Sequence, residues 1–372
     1  MKLPFVTPIV RNVLRVLSFL LFAVTAFSAY GGRFDPDFFT FPGVMVLCLP
    51  YLAITTLIVS LIWIFCMRFI TGGIGILTLI ICASPVTTAS PLHLSKNPTP
   101  DARQFTVLTY NILHGRDQQQ KNGQQGNRAF EYVINSGADI VCLQEVMRWQ
   151  EEEIPNYESF RDTLFKLYPY HAFVEGRDTK VLSKYPMRTL DAETLIGSPD
   201  FDRNRYTFYE ININGRKLAL VNMHMRSPML SEEERNVVKE MKTIRGAKES
   251  MSEMKGSIRE KMSVSMKKRK VDVENLRQAL ARIDLPLIVC GDFNDVPESY
   301  AYRLLRGEDL HDAYVETGFG PMITFNQHMF WLHLDQIFYR GPLRALSVKK
   351  GTLKASDHYP LIAEFEFTGS AR

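Results

Sequence analysis

The sequence lacks the features that mark several common classes of protein. Its 372 residues contain five cysteines, an odd number without regular spacing, which predicts neither a disulfide framework nor a zinc site. Cys142 and Cys290 lie in apolar segments, where they are expected as small buried hydrophobic residues. No glycine-rich segment ends in Lys-Ser or Lys-Thr, which excludes the usual phosphate loop of nucleoside triphosphatases.

The chain also has little excess charge. Its formal net charge is +4, and residues 1–100 account for all of it, with six lysines and arginines against two aspartates. Residues 101–372 are therefore neutral overall. A neutral region of this size lacks the strongly basic balance expected of a general duplex-DNA binder.

Long apolar stretches are abundant, and all of them lie in the first ninety residues. Residues 41–67 and 69–90 contain no charged residue, and Arg68 separates the two stretches. Residues 13–30 contain one charged residue, Arg15. Each stretch is close to the ~20 residues that span a membrane. A signal peptide followed by core helices is the alternative, but one signal peptide does not explain three stretches. We expect an N-terminal membrane region over residues 1–90, with about three transmembrane helices.

Charges beside these stretches predict an orientation. Most basic residues lie at ends of the stretches that would face the same side of the membrane: Lys2, Arg11, Arg15 and Arg68. The loop at 31–40, on the other side, carries one arginine and two aspartates. The positive-inside rule then places the N-terminus in the cytoplasm. After a polar, proline-containing linker at 91–103, the remaining chain is expected in the periplasm, tethered to a bacterial inner membrane.

Six predicted strands of the remaining chain begin or end in polar side chains. The strands are 105–111, 138–145, 217–225, 285–294, 334–339 and 355–367, with predicted helices such as 126–137 and 271–283 between them. This alternation is typical of layered sheets with helices outside. One polar ending such as Gly291–Asp295 is explained by a turn. Six endings rich in Asn, Glu, Asp and His are more simply explained by one cleft.

These residue types suit phosphoester chemistry. Carboxylates hold Mg²⁺, which prefers oxygen ligands. Amides position phosphate or water, and histidines move protons or stabilise phosphate charge.

The motifs TYNILHG, DIVCLQEV, VNMHM, GDFND, LDQIF and SDHYP follow one another as in the endonuclease/exonuclease/phosphatase superfamily, which the chain resembles over residues 104–368. That superfamily includes deoxyribonuclease I, apurinic endonucleases, neutral sphingomyelinases and inositol-polyphosphate 5-phosphatases. The resemblance implies a four-layer α/β sandwich, with two packed mixed β-sheets flanked by helices. It also implies Mg²⁺-dependent phosphoester cleavage, with Mn²⁺ able to substitute.

The resemblance also implies roles for individual residues. Glu145 is expected as the main metal ligand, with Asn111 beside it and Asp357 as a further contact. Asp292 orients or deprotonates the attacking water, and Asn294 contacts the phosphate next to it.

Two histidines are expected at the scissile phosphate. Asp335 holds the second ring nitrogen of His358, while His224 and Asn222 form a second phosphate-facing pair. Glu175 is nominated as the carboxylate partner of His224, with an exposed loop acid as the alternative. Arg205 is expected to contact phosphate, although a strand-edge arginine fits equally well.

Residues 229–270 form an insertion that departs from the superfamily pattern. Met254, Ile258, Met262 and Met266 are spaced by four, as on one helix face. A solvated helix packed on the domain is slightly favoured, and an amphipathic arm that touches anionic lipid or gates the cleft is the alternative.

The expected function is a membrane-tethered, Mg²⁺-dependent phosphodiesterase or phosphatase. Its substrate is lipid-linked, a small molecule or nucleic acid, with the first two preferred. A nuclease acting on DNA or RNA is the first alternative, and a non-catalytic scaffold or phospho-ligand-binding protein is the second. The complete set of site residues argues against an inactive descendant. No protein partner is indicated.

Overall fold

The structure is a computed structural model. It describes residues 7–115, 117, 127–146, 157–172, 177–196, 205–228, 250–327 and 330–369. Glu175 and residues 229–249 of the predicted insertion lie outside the described residues.

The N-terminal region consists of apolar helices. They are α1 (Pro8–Ala29), α2 (Phe41–Val46), α3 (Leu49–Phe65), α4 (Phe69–Ile81) and α5 (Ala83–Ala89). Among the described helices, α1 with its following turn is long and apolar enough to cross a membrane. Helices α4 and α5 reach that length together, but they are bent by 69°, and α3 has 17 residues. The three predicted spans therefore correspond to one long helix, one short helix and one broken pair.

Several polar side chains in this region point inward, whereas many of the large apolar ones are exposed. The hydroxyl groups of Thr25 and Thr56 lie 2.8 Å apart, and the indole of Trp63 donates to Ser18 Oγ at 2.8 Å. Gly75 lies against Phe22 and Ser60 so closely that a Cβ atom has no room. Small and polar residues between helices, with apolar residues outside, are the reverse of a water-soluble bundle and typical of helices that pack in lipid.

The rest of the chain is built on two six-stranded sheets. The first has the order β13-β14-β1-β2-β4-β3 and the second β5-β6-β7-β8-β12-β9. The strands are β1 (Gln104–Asn111), β2 (Ile140–Gln144), β3 (Tyr170–Ala172), β4 (Lys180–Ser183), β5 (Met187–Thr189), β6 (Tyr206–Ile213), β7 (Arg216–His224), β8 (Leu287–Asp292), β9 (His311–Asp312), β10 (Phe325–Gln327), β11 (Phe330–Leu332), β12 (Asp335–Arg340), β13 (Leu343–Lys350) and β14 (Leu361–Phe367). Strands β10 and β11 form a separate hairpin.

Helices cover the outer face of each sheet. They are α6 (Arg128–Asn135), α7 (Tyr157–Leu167), α8 (Ala192–Ile196), α9 (Ser250–Leu280) and α10 (Tyr300–Arg306). Helix α11 (Ala313–Thr317) instead contributes Ala313 and Tyr314 to the core between the sheets. Phe130 of α6 and Leu164 of α7 pack on the first sheet, and Val273 of α9 packs on the second. Apolar residues of both sheets, with Cys142 and Cys290 as free thiols, fill the space between them. The predicted four-layer α/β sandwich is confirmed.

The described part of the insertion belongs to a packed helix. Residues 250–280 form the single helix α9, without a break at residue 270. Buried Arg269 donates from Nε to Asp295 at 3.2 Å, and Met266 packs against Gly43. Lys270 Nζ lies 2.6 Å from both Asp35 and Asp37, in the loop after α1. Arg269 and Lys270 thus make contacts within the chain, as expected for a helix packed on the domain.

Candidate active site

The registers of neighbouring strands bring the polar strand ends together. His224 at the end of β7 lies beside Asp292 of β8, and Asp292 lies beside Asp335 of β12. In the other sheet, Asn111 pairs with Gln144, the residue before Glu145. Because the sheets are stacked, these two rows of side chains face each other across one cleft.

Gly291 allows β7 and β8 to approach at this point. Its φ is +141°, and a Cβ atom there would lie 1.9 Å from the carbonyl oxygen of Met223. A side chain therefore has no space, so glycine is required for the local geometry that places Asp292 beside His224.

Asp292 lies at the centre of the cleft and is fully buried. Asn111 donates from Nδ2 to Glu145 Oε1 and to Asp292 Oδ2, both at 3.0 Å. The backbone N–H of Asn294 donates to Asp292 Oδ1 at 2.8 Å, and its side-chain amide bonds the carbonyl of Met225 at 3.0 Å. Asn111 and Asn294 thus fix the carboxylates, and the amide oxygen of Asn111 accepts from the Leu113 N–H at 3.1 Å.

Two histidine–aspartate pairs flank Asp292. His358 Nδ1 donates to Asp335 Oδ2 at 2.7 Å, and His224 Nδ1 donates to Asp178. The Nε2 atoms of the two rings lie 3.4 Å and 3.6 Å from Asp292 Oδ2. A carboxylate on Nδ1 fixes the tautomer and leaves Nε2 to face the cleft.

The charges around both rings oppose the effect of burial. Burial alone lowers the pKa of His358, but Asp335 and Asp292 raise this pKa well above its usual value. For His224, burial likewise lowers the pKa, and Asp178 with Asp292 raises it overall. Burial raises the pKa of Asp178 and the hydrogen bond from His224 lowers it, with a net lowering. Both pairs therefore favour a cationic ring beside an anionic carboxylate.

The backbone around the cleft is strained. Glu145, Asn294 and His114 have φ angles of 55°, 48° and 57°, in the left-handed region. Such conformations cost ~1–3 kcal/mol each and cluster at functional sites. His114 was not predicted as a site residue, and its Nε2 lies 3.5 Å from Glu145 Oε2.

The donor set fits a divalent cation. In the described part of the chain, two groups can hold a metal ion: Glu145 with His224 and Asp292, and Asp292 with Asp335 and His358. Four carboxylates, including Asp178, face two histidines, so the cleft is anionic even with both rings protonated. Buried charge of this kind needs compensation. His224 Nε2 and Asp335 Oδ1 also lack hydrogen-bond partners among the described residues. Carboxylate oxygens suit Mg²⁺ or Mn²⁺.

Three predicted residues are placed differently from expectation. Asn222 is fully buried and bonds Gln144 together with the carbonyls of Leu143 and Lys180, so it links the two sheets beneath the cleft and does not face a phosphate. Asp357 belongs to neither metal group, and its carboxylate accepts from Ser356 Oγ at 3.2 Å.

Arg205 lies beside the His224 pair. Its carbonyl oxygen accepts from the His224 N–H at 2.9 Å, and its charge contributes to the lowered pKa of Asp178. It therefore acts on the cleft through Asp178, and no contact with a phosphate is needed to explain its position.

Asp178 is the carboxylate that the sequence analysis missed. Glu175, the nominated partner of His224, lies outside the described residues, and Asp178 occupies that role. A signal was present in the short apolar pair Val181–Leu182, which belongs to β4 and begins three residues after Asp178. Because β2 and β4 pair antiparallel with Leu143 opposite Lys180, Asp178 falls opposite Glu145.

Comparisons with known proteins give one family match. A family model described as the endonuclease/exonuclease/phosphatase family matches residues 108–358. No curated protein matches the sequence.

Solved structures similar to the chain include an endonuclease/exonuclease/phosphatase from Beutenbergia cavernae DSM 12333, with 15% identity over 72% of each chain and a TM-score of 0.45. A family protein from Leptotrichia buccalis C-1013-b has 16% identity, covers 71% of this chain and 100% of its own, and gives a TM-score of 0.44. The human Nocturnin catalytic domain with bound sulfate has 19% identity, 71% and 95% coverage, and a TM-score of 0.43.

Proposed function

Since the chain belongs to the endonuclease/exonuclease/phosphatase family, we propose that it is a membrane-tethered, Mg²⁺-dependent phosphoesterase, either a phosphodiesterase or a phosphatase. One observation carries this proposal: the Nε2 atoms of two histidines, each held by its own aspartate, converge on Asp292 Oδ2 at 3.4 Å and 3.6 Å. This arrangement offers a proton acceptor between two cationic donors, which is what hydrolysis of an anionic ester requires.

In the proposed reaction, water attacks phosphorus directly. Asp292, held by Asn111 and Asn294, orients the water and accepts its proton. His358 and His224 donate from Nε2 to phosphate oxygens, where negative charge increases in the transition state. The same rings, in contact with Asp292, return a proton to the departing oxygen.

Glu145 and Asp292 would hold the metal ion, with His224 next to them. The ion supplies Lewis-acid stabilisation of charge on the phosphate. Asn111 keeps the two carboxylates together through its bonds to both. His114 lies beside Glu145, with Nε2 3.5 Å from Oε2.

The inward-facing hydroxyl groups and outward-facing apolar residues of α1, α3 and α4 support a membrane tether. The loop after α1 contacts the catalytic part through Asp35, Asp37 and Lys270. This loop and the catalytic domain therefore lie on the same side of the membrane, in agreement with the orientation indicated by the flanking charges. On this proposal, the catalytic domain is extracytoplasmic.

The test is a metal-dependent activity panel on the full chain after treatment with chelator. The substrates are bis(4-nitrophenyl) phosphate, plasmid DNA, RNA, sphingomyelin, phosphoinositides and nucleotides, with Mg²⁺ or Mn²⁺ added back. We expect turnover that needs the metal and falls ~10²–10³-fold in Glu145→Gln. Glu308→Gln, at an exposed position away from the cleft, is the matched control and should match the parent.

Three outcomes separate the alternatives. Preferential cleavage of DNA or RNA identifies a nuclease. Tight binding of a phosphorylated substrate without turnover of any substrate supports a non-catalytic protein. Turnover that survives both chelator and Glu145→Gln contradicts the proposed site.

A further inference from the structure

Three large apolar side chains in the linker and the catalytic part are highly exposed. They are Leu92, Leu94 and Phe319, with exposed fractions of 66%, 75% and 69%. Among the other large apolar residues that the structure describes after residue 90, the most exposed is Val271, at 46%. Single exposed apolar residues are ordinary, whereas a group of them marks a site of contact with a protein or a membrane.

The three side chains lie together. Leu92 and Phe319 face each other in an antiparallel bridge, with flanking backbone hydrogen bonds of 2.7 Å and 2.8 Å. The side chains of such a pair are close neighbours on one face. Leu94 and Phe319 also line the same open pocket, which has a volume of about 680 Å³. We call Leu92, Leu94 and Phe319 the linker patch.

The linker leaves the helical region at one of its two ends. The last residue of α5, Ala89, packs where the end of α1, the start of α3 and the end of α4 meet, against Ala29, Leu49 and Cys82. Three residues of chain span at most ~10 Å, so Leu92 lies within that distance of Ala89. The linker patch therefore begins where the helical bundle, and with it the proposed membrane, ends.

The loop that carries Phe319 reaches the same end of the helices. Pro321 lines the pocket beside the linker patch, and it also lines a small cavity together with Tyr51 and Ile54 of α3. Both residues of α3 are exposed, on the apolar surface that contacts lipid under the proposed membrane tether. The linker patch is thus next to lipid-facing helices both along the chain and in space.

The pocket beside the linker patch has a cationic lining. It contains Lys350 and His93 and no carboxylate among its described lining residues. Lys350 Nζ lies 3.8 Å from the centre of the Tyr359 ring, and no ion pair of this lysine occurs in the described part of the chain. Apolar residues beside basic ones are typical of surfaces that lie on a membrane, where lysines are attracted to anionic lipids.

We propose that the linker patch and Lys350 form a membrane-contact surface of the catalytic domain, in which the patch enters the lipid interface and Lys350 meets anionic headgroups. This inference goes beyond the phosphoesterase and rests on the membrane tether within the proposed function. A lipid surface is favoured over a protein partner because the patch begins where the helices end. Since Lys350 belongs to β13, this edge strand of the first sheet lies against the membrane and fixes the orientation of the domain.

The experiment uses the full chain in nanodiscs of phosphatidylcholine and phosphatidylglycerol, with chelator present to prevent turnover. Phe319→Trp and Leu94→Trp each place a fluorophore on the linker patch, and the signal of the parent's three tryptophans is subtracted. Apolar side chains at an interface enter ~5–10 Å into the boundary between headgroups and chains. Lipids brominated near the top of their chains should therefore reduce the added fluorescence about twofold or more in both variants.

Tyr170→Trp is the matched control. Tyr170 is 40% exposed and lies in β3, at the opposite edge of the first sheet from β13. Five strand spacings of ~4.8 Å separate the two edges by ~24 Å. The fluorescence of this variant should be quenched by acrylamide from the water and not by brominated lipid. Two variants on the patch keep the test valid if one of them fails to fold.

Lys350→Gln, combined with Phe319→Trp, tests the charge. A lysine near an anionic surface strengthens lipid binding about fivefold. In the Phe319→Trp protein, quenching by brominated lipid should be stronger in discs with phosphatidylglycerol than in discs of phosphatidylcholine alone. Lys350→Gln should remove this difference, and so should high salt, which screens exposed charges.

The outcomes distinguish this inference from the tether on which it rests. A chain that does not enter nanodiscs refutes the tether and the membrane-contact surface with it. A chain that enters them, with Phe319→Trp and Leu94→Trp quenched by acrylamide and no more by brominated lipid than Tyr170→Trp, overturns the surface while the tether stands, and leaves the linker patch to a protein partner. Quenching that ignores phosphatidylglycerol and Lys350→Gln overturns the assignment to anionic lipid.

Discussion

Replacing Asp335 with asparagine tests the histidine–aspartate pairs most directly. The side chain is fully buried and accepts from His358 Nδ1 at 2.7 Å. Asparagine keeps the shape but removes the negative charge that raises the pKa of His358. Asp292 and Asp357 still raise the pKa of His358, but without Asp335 this pKa falls relative to the parent. A smaller fraction of the rings then carries the Nε2 proton that would be donated to a phosphate.

The size of the loss follows from the burial of the pair. Removing one partner of a buried ion pair costs about 3–5 kcal/mol. When this whole cost is added to the activation free energy, turnover falls by roughly 10²–10⁴-fold. Because the pKa of His358 falls in Asp335→Asn, the proton returns only at lower pH. The optimum of the variant should therefore move toward acid.

The assay is turnover of bis(4-nitrophenyl) phosphate between pH 5 and 9 at saturating Mg²⁺. Asp178→Asn is the matched comparison, because Asp178 holds His224 in the same way. Circular dichroism confirms that each variant is folded. A folded Asp335→Asn enzyme with the parent's rate and pH profile would refute the assigned role of the pair.

The remaining predictions concern cooperation in the cleft, pH, packing and topology. Glu145→Gln and His358→Ala should each nearly abolish turnover, and the double variant should lose far less than the product of the two effects, because the groups act as one unit. In metal-free protein, the raised pKa values of His358 and His224 contribute stability that is complete below their ordinary pKa of ~6.5, so the free energy of unfolding should fall as pH rises through the raised values. Asn222→Ala should destabilise the chain by about 2–4 kcal/mol, since it leaves buried carbonyl and amide groups unpaired. Alkaline phosphatase fused after residue 100 should be active, because the catalytic domain is expected outside the cytoplasm.

Each of these predictions has an outcome that contradicts it. Multiplicative losses would mean that Glu145 and His358 act independently. Urea denaturation in the presence of chelator should show the fall in stability with pH, and a constant free energy between pH 6 and 9 would exclude cationic histidines. An Asn222→Ala variant as stable as the parent would show that Asn222 does not stabilise the contact between the two sheets. A fusion active only as a cytoplasmic reporter would reverse the topology.

Much of the site was predictable from the sequence because strands deliver their ends to a common edge. Asn111, Glu145, His224, Asp292 and Asp335 were identified without knowledge of strand order, since each stands at the boundary of a β-rich apolar segment. The structure brings all five into one cleft.

What could not be predicted depends on distances across the sheets. The sequence shows that Asn222 and His224 share a face of β7, but it does not show that Asn222 lies one layer deeper, where residues of the first sheet satisfy its hydrogen bonds. Asp178 was not considered as a partner of His224, because its position opposite Glu145 depends on the antiparallel register of β2 and β4. The contact of Lys270 with Asp35 and Asp37 joins segments more than 230 residues apart, which no local pattern indicates.

The left-handed backbone at Glu145 has a consequence for protein engineering. Glycine adopts this conformation without the ~1–2 kcal/mol penalty that other residues incur. Glu145→Gly removes this backbone penalty together with the carboxylate proposed to hold the metal. A selection for thermostable, metal-free variants should therefore enrich this substitution and return proteins that melt a few degrees higher and hydrolyse nothing. Heat resistance and turnover compete at this single position.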